Sequence, residues 1–298
     1  MNARHASAPG KLFLLGEYGV LARGRAVVAA VNRRASGRRV ESDTRHPSPV
    51  VSGVLDALNA NVHVEVDTRS FLGPSGTKLG IGSSAAVAVV TAGLAASDTS
   101  FATLAAAVRG HRAAQKGRGS GLDVVSSFFG GIIAARRVTD ETDFAQDVER
   151  LPVALPDGVW MTVVYLGKSA STSVLVSEVS RSSRFPHFAD VLAELTETGL
   201  LALKSNDATD WLSTVDVFHD TLEALGKSAE APIVTETMAR LVRSARAQGA
   251  VAKPSGAGGG DVALVFGRDP SQGRVIAQDL GLATVDLGVD AVGLHLDA

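Results

Sequence analysis

The chain of 298 residues contains no cysteine. That excludes disulfides, thiolate nucleophiles and thiolate metal sites, and it fits a reducing compartment. Aromatic residues are scarce, 5% against 45% hydrophobic residues overall, so a core must be packed mainly from Val, Leu and Ala. A positive excess is missing too: the formal net charge is -2, which argues against nucleic acid or an anionic membrane as the main partner. No uninterrupted apolar run approaches the ~20 residues of a membrane span, and the opening MNARHASAPG has no apolar signal core. The expected location is cytoplasmic, with neither membrane nor nucleic acid as partner. Histidines at metal-ligand spacing are absent, and His187 and His219 read as ordinary surface or core residues. There is no internal repeat and no low-complexity tail. One local absence is more pointed: from Thr99 to Leu122 there is not a single acidic residue.

What is present centres on KLGIGSSAAVAVV, Lys78 to Val90. Gly80 and Gly82 let backbone approach a ligand closely, while Ser83 and Ser84 supply hydroxyls and lead into an Ala/Val run of helical length. A helix starting near Ser83 aims unpaired N–H groups and its positive dipole end at the glycine turn, which suits an anion such as a triphosphate. The plainer alternative is a Gly-Ser turn before a core helix. A Walker loop is excluded, because Lys78 lies ahead of the glycines rather than directly before the helix.

Taken in order, KLFLLG (Lys11 to Gly16) and AVVAAVN (Ala26 to Asn32) read as buried strands around a turn at Glu17-Tyr18-Gly19. Lys11 is then either at a solvent edge or facing a site. Arg33, Arg34, Arg38 and Arg39 read as a solvated strand end running into a polar loop. A short helix over 47–60 and a strand over 62–66 precede the glycine turn, with helices over 83–96 and 101–115 after it. In HRAAQKGRGSGLD, Arg112, Lys116 and Arg118 gather ahead of Asp123, whose neighbours are apolar; such a carboxylate needs a partner or a task. Ser120 or Asp123 could also cap the helix that ends near Phe129. A strand over 132–135 and an exposed connection over 136–150 lead to a boundary near Pro152. The strand over 159–167 runs into Lys168-Ser169-Ala170-Ser171-Thr172-Ser173, either a serine-capped helix start or a grip on a polar substrate. Helical periodicity follows from Val174 to Arg246, with breaks near Pro186, Asn206 and Pro232. AKPSGAGGGDVALVF then holds Gly256, Gly258, Gly259 and Gly260 between two strands, a density that points to close backbone approach. One or two closing strands are expected in the remainder.

Three separated stretches, APGKLFLLGEYGVL, KLGIGSSAAV and AKPSGAGGGDVALVF, resemble in order the three motifs of the GHMP small-molecule kinases, across almost the whole chain. The resemblance implies an α+β, two-lobed GHMP kinase fold: an N-terminal ATP-binding lobe over 1–151 with a left-handed βαβ unit, and a ferredoxin-like C-terminal lobe over 152–298. It implies ATP and Mg²⁺ as cofactors, with Gly80, Ile81, Gly82, Ser83, Ser84 and Ala85 on the triphosphate and Ser84 nearest the metal. Asp123 matches the acid that orients or deprotonates the acceptor, with Lys11 beside it. Lys78, Arg118, Ser120, Ser169, Ser171 and Thr172 match positions gripping a small anionic substrate, and Gly258 and Gly259 match the turn that supports the cleft. Within the family, GEYGVL, HRAAQKGRGSGLDVVSSFFGG, GKSASTS and AKPSGAGGGD are most similar to the members that phosphorylate phosphomevalonate. Members acting on mevalonate carry a glutamate shortly before the catalytic aspartate as a metal ligand; this chain has His111 and Gln115 there instead. The implied activity is ATP-dependent phosphorylation of 5-phosphomevalonate, with mevalonate, another hydroxylated metabolite or a sugar as alternative acceptors, and a non-catalytic ligand-binding relative as the alternative class. Monomer and homodimer both stay open.

Overall fold

The computed structural model describes residues 4–42, 47–73, 76–117, 119–167 and 172–297. The chain begins with β1 (His5–Leu15) and β2 (Arg25–Val40), then α1 (Pro49–Leu58), β3 (His63–Asp67), α2 (Ser83–Ala96), α3 (Phe101–Ala114), α4 (Leu122–Phe129), β4 (Ile132–Arg136), α5 (Phe144–Asp147) and β5 (Val148–Leu151). It continues through β6 (Trp160–Tyr165), α6 (Thr172–Val179), α7 (Phe185–Lys204), α8 (Ala208–Ser228), α9 (Glu236–Ala247), β7 (Val251–Pro254), β8 (Val262–Gly267), α10 (Gln272–Asp279), β9 (Ala283–Val285) and β10 (His295–Asp297). Among the described residues no helix is long and apolar enough to cross a membrane.

Two sheets form two lobes. The six-stranded sheet runs β10-β1-β2-β4-β5 with β3 paired to β2, and the four-stranded sheet runs β7-β8-β6-β9. The last strand therefore returns to the first sheet, where His5 lies opposite Asp297, and the segment before it also bonds to that lobe, the Leu294 N–H donating to the Phe128 carbonyl at 2.9 Å. Within the stretch expected to be an exposed connection, β5 adds to the sheet edge with Leu151 opposite Ile132. Its four residues VERL bury only the two apolar ends, a period too short to register in sequence.

The first lobe is organised by α2. Ala85, Ala86, Ala88, Val89, Val90, Ala92 and Leu94 are all buried, the mark of a helix covered on every side rather than an amphipathic surface helix. In the second lobe every residue of β8 is buried, and its alternation divides two cores. Val262, Leu264 and Phe266 join the large core shared with the first lobe, while Ala263 and Val265 face a smaller one with Leu241, Val242 and Ile276 from α9 and α10. A strand flanked by two cores loses the polar-apolar alternation of a half-exposed one.

Two of the four arginines that read as a solvated strand end, Arg34 and Arg39, do structural work, because β2 extends through them to Val40. Arg39 donates to the carbonyls of Leu94 and Ala95 and to Ser97 Oγ (2.8 Å for the last), closing the C-terminal end of α2, where a cation also suits the helix dipole. Arg34 pairs with Asp290 at 2.6 Å and donates to the Gly293 carbonyl at 2.7 Å.

Candidate active site

The glycine turn is built against β1. The Lys11 N–H donates to the Ile81 carbonyl at 2.8 Å, which fastens the turn to the strand. Gly82, at φ +87°, is the N-cap of α2, and no side chain caps that end. The first-turn N–H groups of α2 consequently face the turn without intrahelical acceptors, as an anion cradle requires. A Cβ on Gly82 would stand 2.9 Å from Lys11 Cγ, so the missing side chain is what lets the Lys11 stem lie over the cradle. Burial pushes the Lys11 ammonium below its usual pKa, and the nearby carboxylates of Asp123, Asp261 and Glu17 oppose that shift. Half-buried, with its stem against Gly82 and its ammonium 5.2 Å from the centre of the Phe13 ring, Lys11 lies at the turn and not at a solvent edge.

A second group joins α2 to α3 and α4. Ser84 is exposed, and its Oγ lies 3.0 Å from Nε2 of His111, which is itself only 2% exposed. The same ring nitrogen is 3.2 Å from Gln115 Nε2 and 3.9 Å from Asp123 Oδ2. Asp123 stands in the first turn of α4, whose N-cap is Gly121 with φ +82° rather than Ser120 or Asp123. Ser120 contributes only a 3.4 Å bond from the Leu122 N–H to its hydroxyl. Asp123 Oδ1 accepts from the Val124 N–H at 3.0 Å, and its side chain keeps 25% exposure, enough to meet an acceptor. Ser84 and Asp123 are hard oxygen donors on either side of His111. No group of three or more His, Asp or Glu among the described residues makes a metal cage. One or two protein oxygens beside phosphates and water is the arrangement magnesium favours, so these residues fit a nucleotide-borne ion.

The third group comes from the second lobe. Lys253 on β7 is fully buried and pairs with Glu17, 2% exposed, at 2.5 Å. Its ammonium also donates to the carbonyls of Pro254 at 2.6 Å and Phe13 at 3.4 Å. Glu17 Oε1 accepts from the Gly256 N–H at 3.1 Å, and the Tyr18 hydroxyl donates to the Ala257 carbonyl at 2.7 Å. Burial pushes the Lys253 ammonium down, opposed by Glu17. The strand bearing Lys11 is thus bolted to the third glycine-rich stretch. Asp261 closes the junction: a Cβ on Gly80, at φ +74°, would lie 2.4 Å from Asp261 Cγ, so that carboxyl group occupies the room a side chain would need.

Of the residues expected from the sequence, Lys11, Gly80, Ile81, Gly82, Ser83, Ser84, Ala85 and Asp123 come together. Lys78 is exposed at the entry to the turn, where its backbone bridges Leu72. Gly258 and Gly259 face Ile233 instead of the cradle, the Gly259 N–H donating to its carbonyl at 3.0 Å. Arg118, Ser169 and Ser171 lie outside the described residues, as does the side chain of Thr172. Arg112 does not face an acceptor: it donates to the backbone carbonyls of Val138 and Ser120, which brace the loop before α4. Sequence reasoning gave no role to Glu17, Lys253, Asp261, His111 or Gln115. The available signals were single charges inside apolar stretches, GEYG and AKPS, and the missing acid before Asp123.

A cleft of about 830 Å³ lies along β2 and β3, lined by Ser36, Arg38, Val66, Thr68 and Arg69 among others, and α2 reaches it through Val87. Val87 is one helical turn beyond Ser83.

No family model matches the chain. It is 30% identical to a phosphomevalonate kinase of a Streptomyces species, covering 88% of this chain and 89% of that protein. It is 28% identical to a phosphomevalonate kinase of Saccharolobus solfataricus, over 98% of each. It is also 28% identical to a mevalonate kinase of Pyrococcus abyssi, over 93% of this chain and 92% of that one. Among solved structures, a phosphomevalonate kinase of Streptococcus pneumoniae in complex with phosphomevalonate and AMPPNP superposes with a TM-score of 0.78 at 19% identity, covering 96% of this chain and 99% of that one. A protein of Listeria innocua superposes at 0.84 with 22% identity, covering 98% of this chain and 99% of that one.

Proposed function

Since the chain belongs to the GHMP small-molecule kinase family, we propose that it transfers the γ-phosphoryl group of ATP to the phosphate of 5-phosphomevalonate, forming the diphosphate and ADP. The observation that carries this is the convergence of an uncapped helix N-terminus, Lys11, Ser84 and Asp123 at one junction between the lobes. Phosphoryl transfer asks chiefly for alignment and charge neutralisation. The backbone of the turn from Gly80 to Ser84 holds the phosphate chain, and the cleft at Val87 takes the nucleoside end. Lys11 supplies positive charge beside the transferred group. Asp123 orients the acceptor oxygen, or takes its proton where it carries one. Ser84 would be the protein hydroxyl to hold a nucleotide-borne Mg²⁺, which would supply charge neutralisation on the phosphate oxygens.

The pair His111 and Gln115, standing where a mevalonate kinase would have its glutamate, favours phosphomevalonate as acceptor. Mevalonate is the second reading, favoured by the 28% identity to the Pyrococcus enzyme. Steady-state ADP release with Mg²⁺-ATP against phosphomevalonate, mevalonate, homoserine and a few sugars separates them. Preferred turnover of phosphomevalonate is expected; preferred turnover of mevalonate overturns the choice of acceptor. Asp123→Asn keeps size and most hydrogen bonding while removing the charge, and turnover is expected to fall roughly 10²- to 10⁴-fold with the fold intact.

A further inference from the structure

The strand that carries Lys11 has a free edge. Among the described residues, β10 pairs with β1 no further than Ser7, so beyond that point β1 has β2 on one side only. Alternate residues along the other side, Pro9, Lys11 and Phe13, carry main-chain groups that need partners from elsewhere. Three different parts of the chain supply them. The Pro9 carbonyl accepts from the Ser127 hydroxyl of α4 at 2.6 Å, and the Lys11 N–H is taken by the Ile81 carbonyl of the glycine turn. Phe13 is answered by one side chain of the second lobe: Ser255 Oγ accepts from the Phe13 N–H at 2.9 Å and donates to the Phe13 carbonyl at 3.1 Å. Neither direction is open to choice, because an amide N–H can only donate and a carbonyl can only accept. Ser255 directly follows β7, is 7% exposed, and is itself tied to β8, its N–H donating to the Val262 carbonyl at 3.0 Å.

We propose that Ser255 is a positioning residue for phosphoryl transfer: by holding the Phe13 main chain as a strand partner would, it sets the Phe13 ring and, over that ring, the Lys11 ammonium. Lys11 and Phe13 are two positions apart, so their side chains share one face of β1. Lys11 Nζ stands 5.2 Å from the centre of the Phe13 ring, within the range over which a ring face attracts a cation. The register of β1 against β2 shifts between Phe13 and Leu15, so the ladder to β2 is interrupted where Ser255 takes hold. The place of Lys11 is thus set from both lobes, by the glycine turn of the first and by Ser255 of the second. This rests on the kinase reading above, which gives Lys11 its task.

The test compares the full wild-type chain with Ser255→Ala, Ser255→Thr, Lys11→Met and the double variant Ser255→Ala/Lys11→Met, by steady-state ADP release with Mg²⁺-ATP and the preferred acceptor. Ser255→Ala should lower kcat about ten- to hundredfold, the scale of a small misplacement at the reacting centre, with KM for either substrate little changed. Ser255→Thr, which keeps the hydroxyl, should recover most of that loss. In the Lys11→Met background, Ser255→Ala should cost no further turnover, whereas a role unconnected with Lys11 would add its loss in full. Additive losses, or a loss that falls on KM with kcat kept, overturn the inference and leave the kinase reading standing. A second readout needs no turnover. The Lys11 ε-methylene resonance should lie upfield in the wild type, shielded by the Phe13 ring, and move towards that of a free lysine in Ser255→Ala while the rest of the spectrum is kept. A wild-type resonance without that shielding overturns the inference whether or not Ser255→Ala folds, and so does a shielded resonance that Ser255→Ala leaves unaltered. A wild type that phosphorylates no acceptor overturns the kinase reading instead, and the Lys11 resonance then decides whether Ser255 places the ammonium.

Discussion

Replacing Lys253 by Met tests whether the two lobes are held in register by one buried ion pair. The side chains are similar in length, so packing is largely kept while the ammonium is removed. What remains is the Glu17 carboxylate, 2% exposed, with Oε1 bonded only to the Gly256 N–H and Oε2 already without a hydrogen-bond partner. The carbonyls of Pro254 and Phe13 lose a donor as well. Removing one member of such a pair costs about 3–5 kcal/mol, chiefly because the other charge is left buried alone. At ~2–4 °C per kcal/mol for chains of a few hundred residues, the midpoint of thermal unfolding should fall on the order of 10 °C, measured by circular dichroism or calorimetry. Glu17→Gln combined with Lys253→Met should lose clearly less than the sum of the single changes, because the double variant buries no unpaired charge. A drop of less than about 2 °C in Lys253→Met, or additive losses in the double variant, would refute the reasoning and leave the pair as a bystander between lobes joined by apolar packing.

Gly80→Ala should lower stability by about 1–3 kcal/mol, since φ is +74° there. It should also cut turnover at least about tenfold by displacing the Asp261 carboxyl from the cradle, as steady-state kinetics on folded protein will register. Arg112→Lys should cost roughly 1–2 kcal/mol of stability through the lost carbonyl bonds and leave the KM for phosphomevalonate unchanged; a raised KM would return Arg112 to the substrate. His219 is 2% exposed, and burial holds its pKa at about 4, with Arg246 reinforcing the shift and Asp220, Glu223 and Asp216 opposing it. The unfolded chain then binds the proton first, so stability is complete above about pH 6.5 and declines as pH falls towards 4, by on the order of 3 kcal/mol. Urea midpoints across that range should fall more steeply in the wild type than in His219→Leu.

Much of the site was legible in the residues because its main part is local. Gly80, Gly82, Ser83 and Ser84 stand within five positions, and the Ala/Val run behind them has no other use than a buried helix. That helix spans Ser83–Ala96 in the structure as in the sequence reading. Asp123 announced itself as a charge among apolar neighbours. What local pattern could not carry were pairings across long stretches of chain. Lys253 meets Glu17 from 236 positions away, and each alone looks like an ordinary polar residue beside a strand. Arg112 sits among basic residues in the sequence, but rotation about α3 turns it to the Val138 carbonyl and not to a ligand. β5 and α10 are too short for periodicity to reveal; β5 depends on pairing with β4, and α10 on packing against α9, β6, β8 and β9. The sequence by itself determined the glycine turn with its buried helix, a carboxylate among apolar neighbours and the family, because adjacent residues fix backbone conformation and charge. Tertiary structure alone decided which charges are paired, that Asp261 fills the space beside Gly80, and that His111 joins Ser84 to Asp123, because burial and distance are properties of chain segments brought together.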